Sequence, residues 1–471
     1  MTGYHLMGVG IAGCFFVPSA RVWGKRHAFL IGIVILCISS AWGGASSHNY
    51  DSFLWARIFQ GVGLAPFEAL INSAVGDLYF VHERGKRMAV TNFAVFGGSF
   101  MTPVVVGKMT YTIGWEWTFF LVAILTGVGI PLIYLCVPEV AFRRAAHLNT
   151  DVTTDRVTHR SSVIIQDSEI AMDDMNSHKE LRTANEKHEE TAAPDEPIPP
   201  KKTWVQTLKP VDGRMTDESY WKLLLRPFPL FFHPGILWAC LIQGTLIGWT
   251  VFLGIVLAAI MLGPPLWFNE VTTGYMYTGA FVGAVVGFII AGATSDSVTA
   301  WLTRLNGGVY EPEFRMFLVI PQLILGCTGL YGFGITAADA VRYRWFWPDF
   351  FFAFEVAGMV VGAVASACYI VDAHRDISIE AFTCMMIFKN MFSFAFTFNG
   401  YQWLVHAGTL KIFVALGTVQ VVVCLLTIPL CKFFRWFLDS NSLTVWCTDI
   451  FGKKNRSFLA RHNMLKILGL W

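Results

Sequence analysis

Residues 53–87 read FLWARIFQGVGLAPFEALINSAVGDLYFVHERGKR. The greater part of this stretch is one apolar run of membrane-crossing length, and Arg57, Gln60, Gly61, Gly63 and Glu68 stand inside it. A polar turn follows, with Asp77, Arg84, Gly85, Lys86 and Arg87. An ionised side chain at the centre of a membrane helix costs about 2.5–3.5 kcal/mol on insertion scales, so an arginine and a glutamate kept there are functional-site candidates by default. The competing reading of Arg57 is simpler. It lies a few residues from Tyr50 and Asp51, close enough to the span end for its guanidinium to snorkel to water.

The rest of the chain has the same character. Its 471 residues are 54% hydrophobic and only 14% charged, against about 25% charged in soluble domains, which makes it a polytopic membrane protein. A net charge of +2 gives no reason to expect a nucleic-acid partner. The ten cysteines are mostly single residues within apolar runs, without a C-x-x-C, so neither a metal site nor a disulfide framework is expected. The N-terminus lacks a basic lead-in and cleavage site, so no signal peptide is expected.

A span needs about 20 mostly apolar residues. Eleven runs meet that length, at 3–20, 28–46, 52–74, 88–108, 117–137, 233–262, 272–294, 316–336, 348–371, 379–400 and 408–431. The 233–262 run is long enough to suggest a kink or an interfacial lead-in. Basic residues in short loops set orientation. Arg21, Lys25 and Arg26, then Arg84, Lys86 and Arg87, then Arg304 and Arg375 fall in alternate loops, which are therefore read as cytosolic. The opposite loops are nearly bare apart from Arg342 and Arg344, and Met1 is placed outside. An odd span count points to one span missing at the front.

Residues 139–230 interrupt the pattern with dense charge of both signs and the Pro-rich stretch Pro194–Pro200. Such a segment cannot bury enough apolar surface to fold alone and is read as a largely disordered cytosolic linker. Its end, Tyr220–Leu225, suits a short helix lying on the membrane face. The expected domains are an N-terminal bundle over 1–138, the linker, a C-terminal bundle over 231–433 and a cytosolic tail over 434–471. Small residues every fourth position, at Gly279, Gly283 and Gly287, at Gly358, Gly362 and Ser366, and at Gly244 and Gly248, let helices approach closely in lipid.

These residues resemble the major facilitator superfamily. Arg57-x-x-Gln60-Gly61-x-Gly63 is similar to its fourth-span motif. Gly98-x-x-x-Thr102-Pro103-x-x-x-Gly107 looks like its fifth-span antiporter motif, with Thr102 where glycine is usual. Gly24-Lys25-Arg26 resembles the end of the loop motif between spans two and three, with Arg21 where that motif has aspartate. Trp115-Glu116-Trp117-Thr118-Phe119 and Val137-Pro138-Glu139 resemble the start and end of span six. In the second half Asp296, the run from Asn306 to Arg315, Tyr369–Ala373 and Lys389-Asn390 resemble the fungal drug:proton antiporter branch that includes histidinol- and polyamine-type transporters.

The resemblance implies an all-α major facilitator fold of two six-helix bundles. Residues 3–20 then align with the second span, with the first span absent and an insertion near 434–449. It also implies a proton-coupled secondary transporter of a small organic solute, working by alternating access about a midplane site. The substrate- and proton-binding candidates are Arg57, Gln60, Glu68, Gln243, Trp249, Glu355 and Asn390. A carboxylate that takes either a proton or a cation makes the two compete. Phe350–Phe354 beside Glu355 offers ring faces to an organic cation, unless those aromatics are an ordinary interface belt.

Arg26, Asp77 with Arg84 and Arg87, Asp296, and Asp372 with Arg375 are expected to form cytosolic charge latches. The alternative is solvated loop charges. Gly61, Gly63, Gly98, Pro103, Gly107, Gly279, Gly283, Gly287, Gly358 and Gly362 are expected at helix contacts. The partners are the solute, protons and the lipid bilayer, the protein is expected to be monomeric, and no cofactor is expected. The plasma membrane is the expected location, with the vacuolar membrane as the alternative. A rival reading is a non-transporting or decayed paralogue that acts as a sensor. Enzyme motifs such as H-E-x-x-H, G-x-x-x-x-G-K-[ST] and G-x-S-x-G do not occur.

Overall fold

The computed structural model describes residues 2–46, 49–140, 208–210, 213–216, 218–264, 266–306, 310–374 and 377–430. Among these, regular structure is helical throughout. The first half holds α1 (Thr2–Trp23), α2 (Arg26–Ala45), α3 (Tyr50–Leu78), α4 (Val81–Ile113) and α5 (Glu116–Cys136). Two short helices, α6 (Tyr220–Leu225) and α7 (Pro227–Leu230), lead into the second half. There follow α8 (Pro234–Leu262), α9 (Glu270–Leu305), a 3-10 turn (Pro312–Leu318), α10 (Val319–Ala338), α11 (Ala340–Tyr343), α12 (Phe346–Ala373), α13 (Ser378–Ala407), α14 (Thr409–Leu425) and α15 (Thr427–Leu430). Ten of the described helices are long and apolar enough to cross a membrane, which makes this an integral multi-pass protein. The eleventh run is the shorter apolar helix α14.

Local chemistry sets the boundaries. The Asn49 side chain accepts from the backbone N–H groups of Asp51 and Ser52 and starts α3, and Asn269 accepts from Thr272 N at 2.8 Å and starts α9. Gly408, at φ 79°, turns the chain from α13 into α14. The 233–262 run is one uninterrupted helix that stops at Gly263. The run expected over 88–108 begins earlier, at Val81, so Arg84, Lys86 and Arg87 lie on helical turns. Glutamate, arginine and lysine are good helix formers, and these turns sit at the polar end of the helix.

Close helix packing runs through the glycines. Gly61 lies against the His5 carbonyl of α1, and a Cβ at Gly63 would stand 2.6 Å from Leu36 N of α2. Gly283 faces the Ala353 carbonyl, and a Cβ on Gly287 would lie 2.7 Å from the Ala357 carbonyl, so the two glycines let α9 pack closely on α12. Gly358 meets Gly326, Gly362 meets Gln322, and Gly279 meets Asp349. Gly107 and Gly274 bring α4 onto α9, where a Cβ on Gly274 would lie 2.6 Å from the Pro103 carbonyl. Gly98 departs from the expectation, because nothing lies within 4 Å of its Cβ position. It is on an open face of α4 and supports no contact.

Every residue of α12 from Glu355 to Asp372 is buried, which makes α12 the central helix of the second half. By contrast α5 has no buried residue, and Ile124, Leu125, Val128 and Leu132 are all more than half exposed. A helix apolar on every side is suited to lipid. The first half meets the second where Gly10 of α1 faces the Met391 side chain of α13, and where Gly76 of α3 faces Val371 of α12. The expected helix over Tyr220–Leu225 is present, and its Tyr220 hydroxyl donates to the Phe15 carbonyl at 3.0 Å. The body of the linker, residues 141–207, the tail over 434–471 with its supposed insertion, and Arg375 lie outside the described residues.

Candidate functional site

Two clusters of polar side chains join the halves, one inside the span region and one at the end marked by the basic loops. The inner cluster surrounds a cavity of about 40 Å³. That volume suits a few water molecules and no organic solute. Glu68 and Asn72 of α3, Thr91 and Asn92 of α4, Gln243 of α8 and Lys389 of α13 supply its polar lining. Phe67, Phe96, Phe382 and Met385 are among its apolar walls. Glu68 is ten residues from the end of α3, roughly 15 Å along the axis and so near mid-span. One of its carboxylate oxygens is ion-paired to the Lys389 ammonium group. The other accepts from Asn390 Nδ2 at 2.9 Å.

Of the residues singled out from sequence, Glu68, Gln243 and Asn390 meet in or beside this cavity. Arg57 does not join them. It lies on the face of α3 that carries Glu68 but three turns away, roughly 16 Å. It donates to Gln60 Oε1 at 2.7 Å, and its guanidinium lies 5.6 Å from the Phe119 ring centroid. Gln60 in turn donates to Ser40 of α2 at 3.0 Å. Arg57 and Gln60 therefore hold first-half helices together.

Trp249 is also a core residue. Its Nε1 donates to Gln420 at 3.1 Å, and its ring packs on Phe392 and Phe396. Glu355 is fully buried, accepts from the Thr250 hydroxyl at 2.7 Å, and has its second oxygen without a hydrogen-bond partner among the described residues. Gly329 of α10 abuts its backbone. It is enclosed by α8, α10 and α12 and does not line the cavity. The aromatics before it pack edge-on and tilted against one another and against Trp347, with Phe350 39% exposed, as an interface belt would.

Lys389 carries the partner charge for Glu68, a role that its Lys389-Asn390 motif does not disclose. A lysine ten positions into an apolar run was the available signal. Gln420 gave a similar signal in the last run. It is fully buried and accepts from both Thr245 and Trp249.

The outer cluster centres on Asp372, at the end of α12. One oxygen is ion-paired to Arg84 of α4. The other accepts from Arg315 Nε at 3.0 Å and from the Tyr310 hydroxyl at 2.6 Å. Arg315 also donates to Asp296 at 2.8 Å, while Asp296 accepts from the backbone N–H groups of Gly85 and Lys86 at 3.2 and 3.0 Å. Two arginines and two aspartates balance, which is what makes such burial affordable. Burial and the Asp372 charge push the Tyr310 phenol well above its ordinary range.

Asp77 pairs differently from expectation. Its partner is Lys25, at 2.7 Å, and Arg84 reaches past the Gly76 carbonyl to Asp372 in the other half. Asp77 sits where α3 ends beside the α1–α2 turn, so Lys25 is nearer. Burial pulls the Lys25 ammonium below the ordinary lysine range, and Asp77 opposes that shift. Arg26 donates to the Tyr134 carbonyl at 2.6 Å, and the backbone N–H groups of Lys25 and Arg26 donate to Glu139. Arg87 lies over the Tyr79 ring. Arg21 pairs with Glu380 in the first turn of α13 at 3.4 Å, and Arg226 approaches the same carboxylate at 3.5 Å.

Comparison with known proteins places these features in context. The family model for the Major Facilitator Superfamily matches residues 1–375. Among similar proteins, Protein HOL1 of Saccharomyces cerevisiae is 24% identical, over 94% of this chain and 81% of its own. MFS transporter cpaT of Aspergillus oryzae is 23% identical, over 82% of this chain and 68% of its own. Among solved structures, the proton:xylose symporter XylE bound to 6-bromo-6-deoxy-D-glucose superposes with a TM-score of 0.56 at 14% identity, covering 93% of this chain and 85% of that one. At that identity the likeness concerns the fold.

Proposed function

The chain belongs to the major facilitator superfamily, and from that premise we propose a secondary transporter that carries a small organic cation across the membrane in exchange with protons. The observation that carries this reading is the position of Glu68, a carboxylate near mid-span on a polar cavity between the halves. A carboxylate there gives a cation a counter-charge away from water, where few other groups could hold it. Glu355 is the proton site in this account. It is an enclosed carboxyl group with a hydroxyl donor and no ion pair among the described residues. Thr250, which holds it, lies two turns from Gln243 along the same face of α8, so a change at Glu355 has a short path to the cavity wall.

Alternating access then requires the inter-half pairs at the basic end to break and re-form as the solute crosses. In this reading the Arg84–Asp372 and Arg21–Glu380 pairs hold the basic end closed. The similar cpaT protein is named as a transporter, in keeping with carriage of a solute. We place the protein in the plasma membrane as a monomer, with the basic loops facing the cytosol.

The test is uptake into proteoliposomes containing the full chain. Radiolabelled diamines, amino alcohols and aromatic amines are compared with uncharged and anionic analogues of the same size. Saturable uptake of at least one cation, with none of its uncharged analogue, is expected. Uptake confined to uncharged or anionic compounds contradicts the reading.

A further inference from the structure

Both partners of Glu68 come from one helix of the opposite half. α3 supplies the carboxylate, and α13 supplies Lys389 for one oxygen and Asn390 for the other. Lys389 is 7% exposed and lines the cavity with its target. The Lys389 side chain is a primary ammonium ion on a four-carbon stem with three rotatable donors. The cation site is thus filled by an ammonium group that belongs to the chain itself.

We propose that Glu68 is a cation-exchange site whose resting occupant is the Lys389 ammonium group. The transported solute bears a primary ammonium group that takes the place of Lys389 and thereby removes one of the two ties from Glu68 of α3 to α13. This rests on the cation-transport reading above and gives it a specificity. A compact ammonium with N–H donors satisfies the site now, so the solute must bring the same donors. A quaternary ammonium has none, and a planar guanidinium has a different geometry.

The remaining lining agrees. Asn92 donates one amide N–H to the Met88 carbonyl at 2.8 Å, and its side-chain oxygen is an acceptor that suits an ammonium ligand. Asn72, Thr91 and Gln243 add polar atoms, and Phe67 and Phe96 provide apolar wall for an alkyl chain. The cavity is too small for solute while Lys389 occupies it, and the flexible lysine stem allows the ammonium to swing out. Breaking this pair also breaks a tie between the halves. Binding and the loss of this tie are then one event, which couples binding to movement.

Competition with a tether has a quantitative signature. A ligand that binds only when the tether is off has its affinity reduced by the fraction of time the site is open, so a pair formed about nine-tenths of the time weakens binding about tenfold. The test measures binding of 1,4-diaminobutane to the full chain in lipid nanodiscs by equilibrium dialysis, with melting temperature as the folding control. Lys389→Met should bind the diamine about tenfold more tightly than wild type. Lys389→Arg should bind it more weakly than wild type, because a guanidinium grips a carboxylate with two parallel bonds. Glu68→Gln should lose binding.

A purely structural lysine gives the opposite order, with Met weakening and Arg restoring affinity, and that result overturns the proposal. Binding of butanedioate that disappears in Lys389→Met, or no diamine binding by any of the four proteins, overturns it as well. If Lys389→Met does not fold, wild type against Lys389→Arg decides alone, since equal affinity contradicts a tether. Failure here is separable from failure of the transport reading. Cation uptake with an affinity blind to Lys389 removes the exchange site only. Binding that follows Lys389 without uptake removes transport only.

Discussion

Arg84, in the first turns of α4, forms a buried ion pair with Asp372 in the last turn of α12, and this pair joins the first half of the chain to the second. The two side chains are 1% and 0% exposed. Removing one member of a buried pair strands the other charge and costs about 3–5 kcal/mol. Arg84→Met should therefore lower the melting temperature and open the basic end. Cys368, buried one turn from Asp372, reports that opening. A water-soluble maleimide should leave Cys368 unlabelled in wild type and label it in Arg84→Met, read by peptide mass spectrometry. Equal protection in both would mean the pair does not close this end.

Tyr310 makes the same cluster sensitive to alkali. Burial and the neighbouring Asp372 raise its phenol well above the ordinary value near 10. Between the unfolded and folded values the unfolded chain has lost the phenolic proton and the native chain has kept it. Stability from this group is therefore intact below about pH 10 and is lost as pH rises beyond it. Tyr310→Phe should melt lower at pH 8, by about 1 kcal/mol for the lost hydrogen bond. It should also fall less steeply than wild type from pH 9.5 to 11. Parallel slopes would show that the phenol does not titrate against folding.

The glycines separate into two classes. Gly283→Leu places a side chain against the Ala353 backbone, which cannot yield without parting α9 from α12, and folded protein should be lost. Gly98→Ala adds a methyl group in open space on a helix. It should leave melting unchanged or raise it, by up to about 1 kcal/mol from helix propensity. Yield and melting in detergent check both, and a destabilised Gly98→Ala would restore that position to a packing role.

The two carboxylates should fail in different ways. Glu68→Gln should abolish all cation movement. Glu355→Gln should abolish proton-driven accumulation yet retain solute-for-solute counterflow, because the proposed proton site is outside the cavity. Counterflow and pH-driven uptake in the same proteoliposomes distinguish them. Loss of both activities in Glu355→Gln at normal melting temperature would place that residue in the solute path.

Apolar length and basic loops made much of the fold legible, because a membrane demands about 20 apolar residues per crossing and sorts positive charge to one side. Glu68, Gln243 and Asn390 were legible as costly polar groups in apolar runs. Which of them pair, and with what else, was not. Periodicity places Arg84 and Asp77 near each other in the chain, but Arg84 pairs with a residue 288 positions away and Asp77 turns to Lys25. Such choices are fixed by how α3, α4 and α12 meet, which the local pattern does not encode. A charge in a span signals a required contact without naming it, and for Arg57 one such contact is Gln60 in the same helix. The aromatics before Glu355 are legible in the sequence, whereas its enclosure by α8 and α10 is not.

The most direct measurement is proton movement during cation flux. Proteoliposomes of the full chain, loaded with a pH-sensitive dye and made acidic inside, receive external 1,4-diaminobutane. Exchange through Glu68 predicts saturable diamine uptake with simultaneous internal alkalinisation, both absent in Glu68→Gln. Diamine accumulation without proton release, or undiminished coupled flux in Glu68→Gln, would contradict the account.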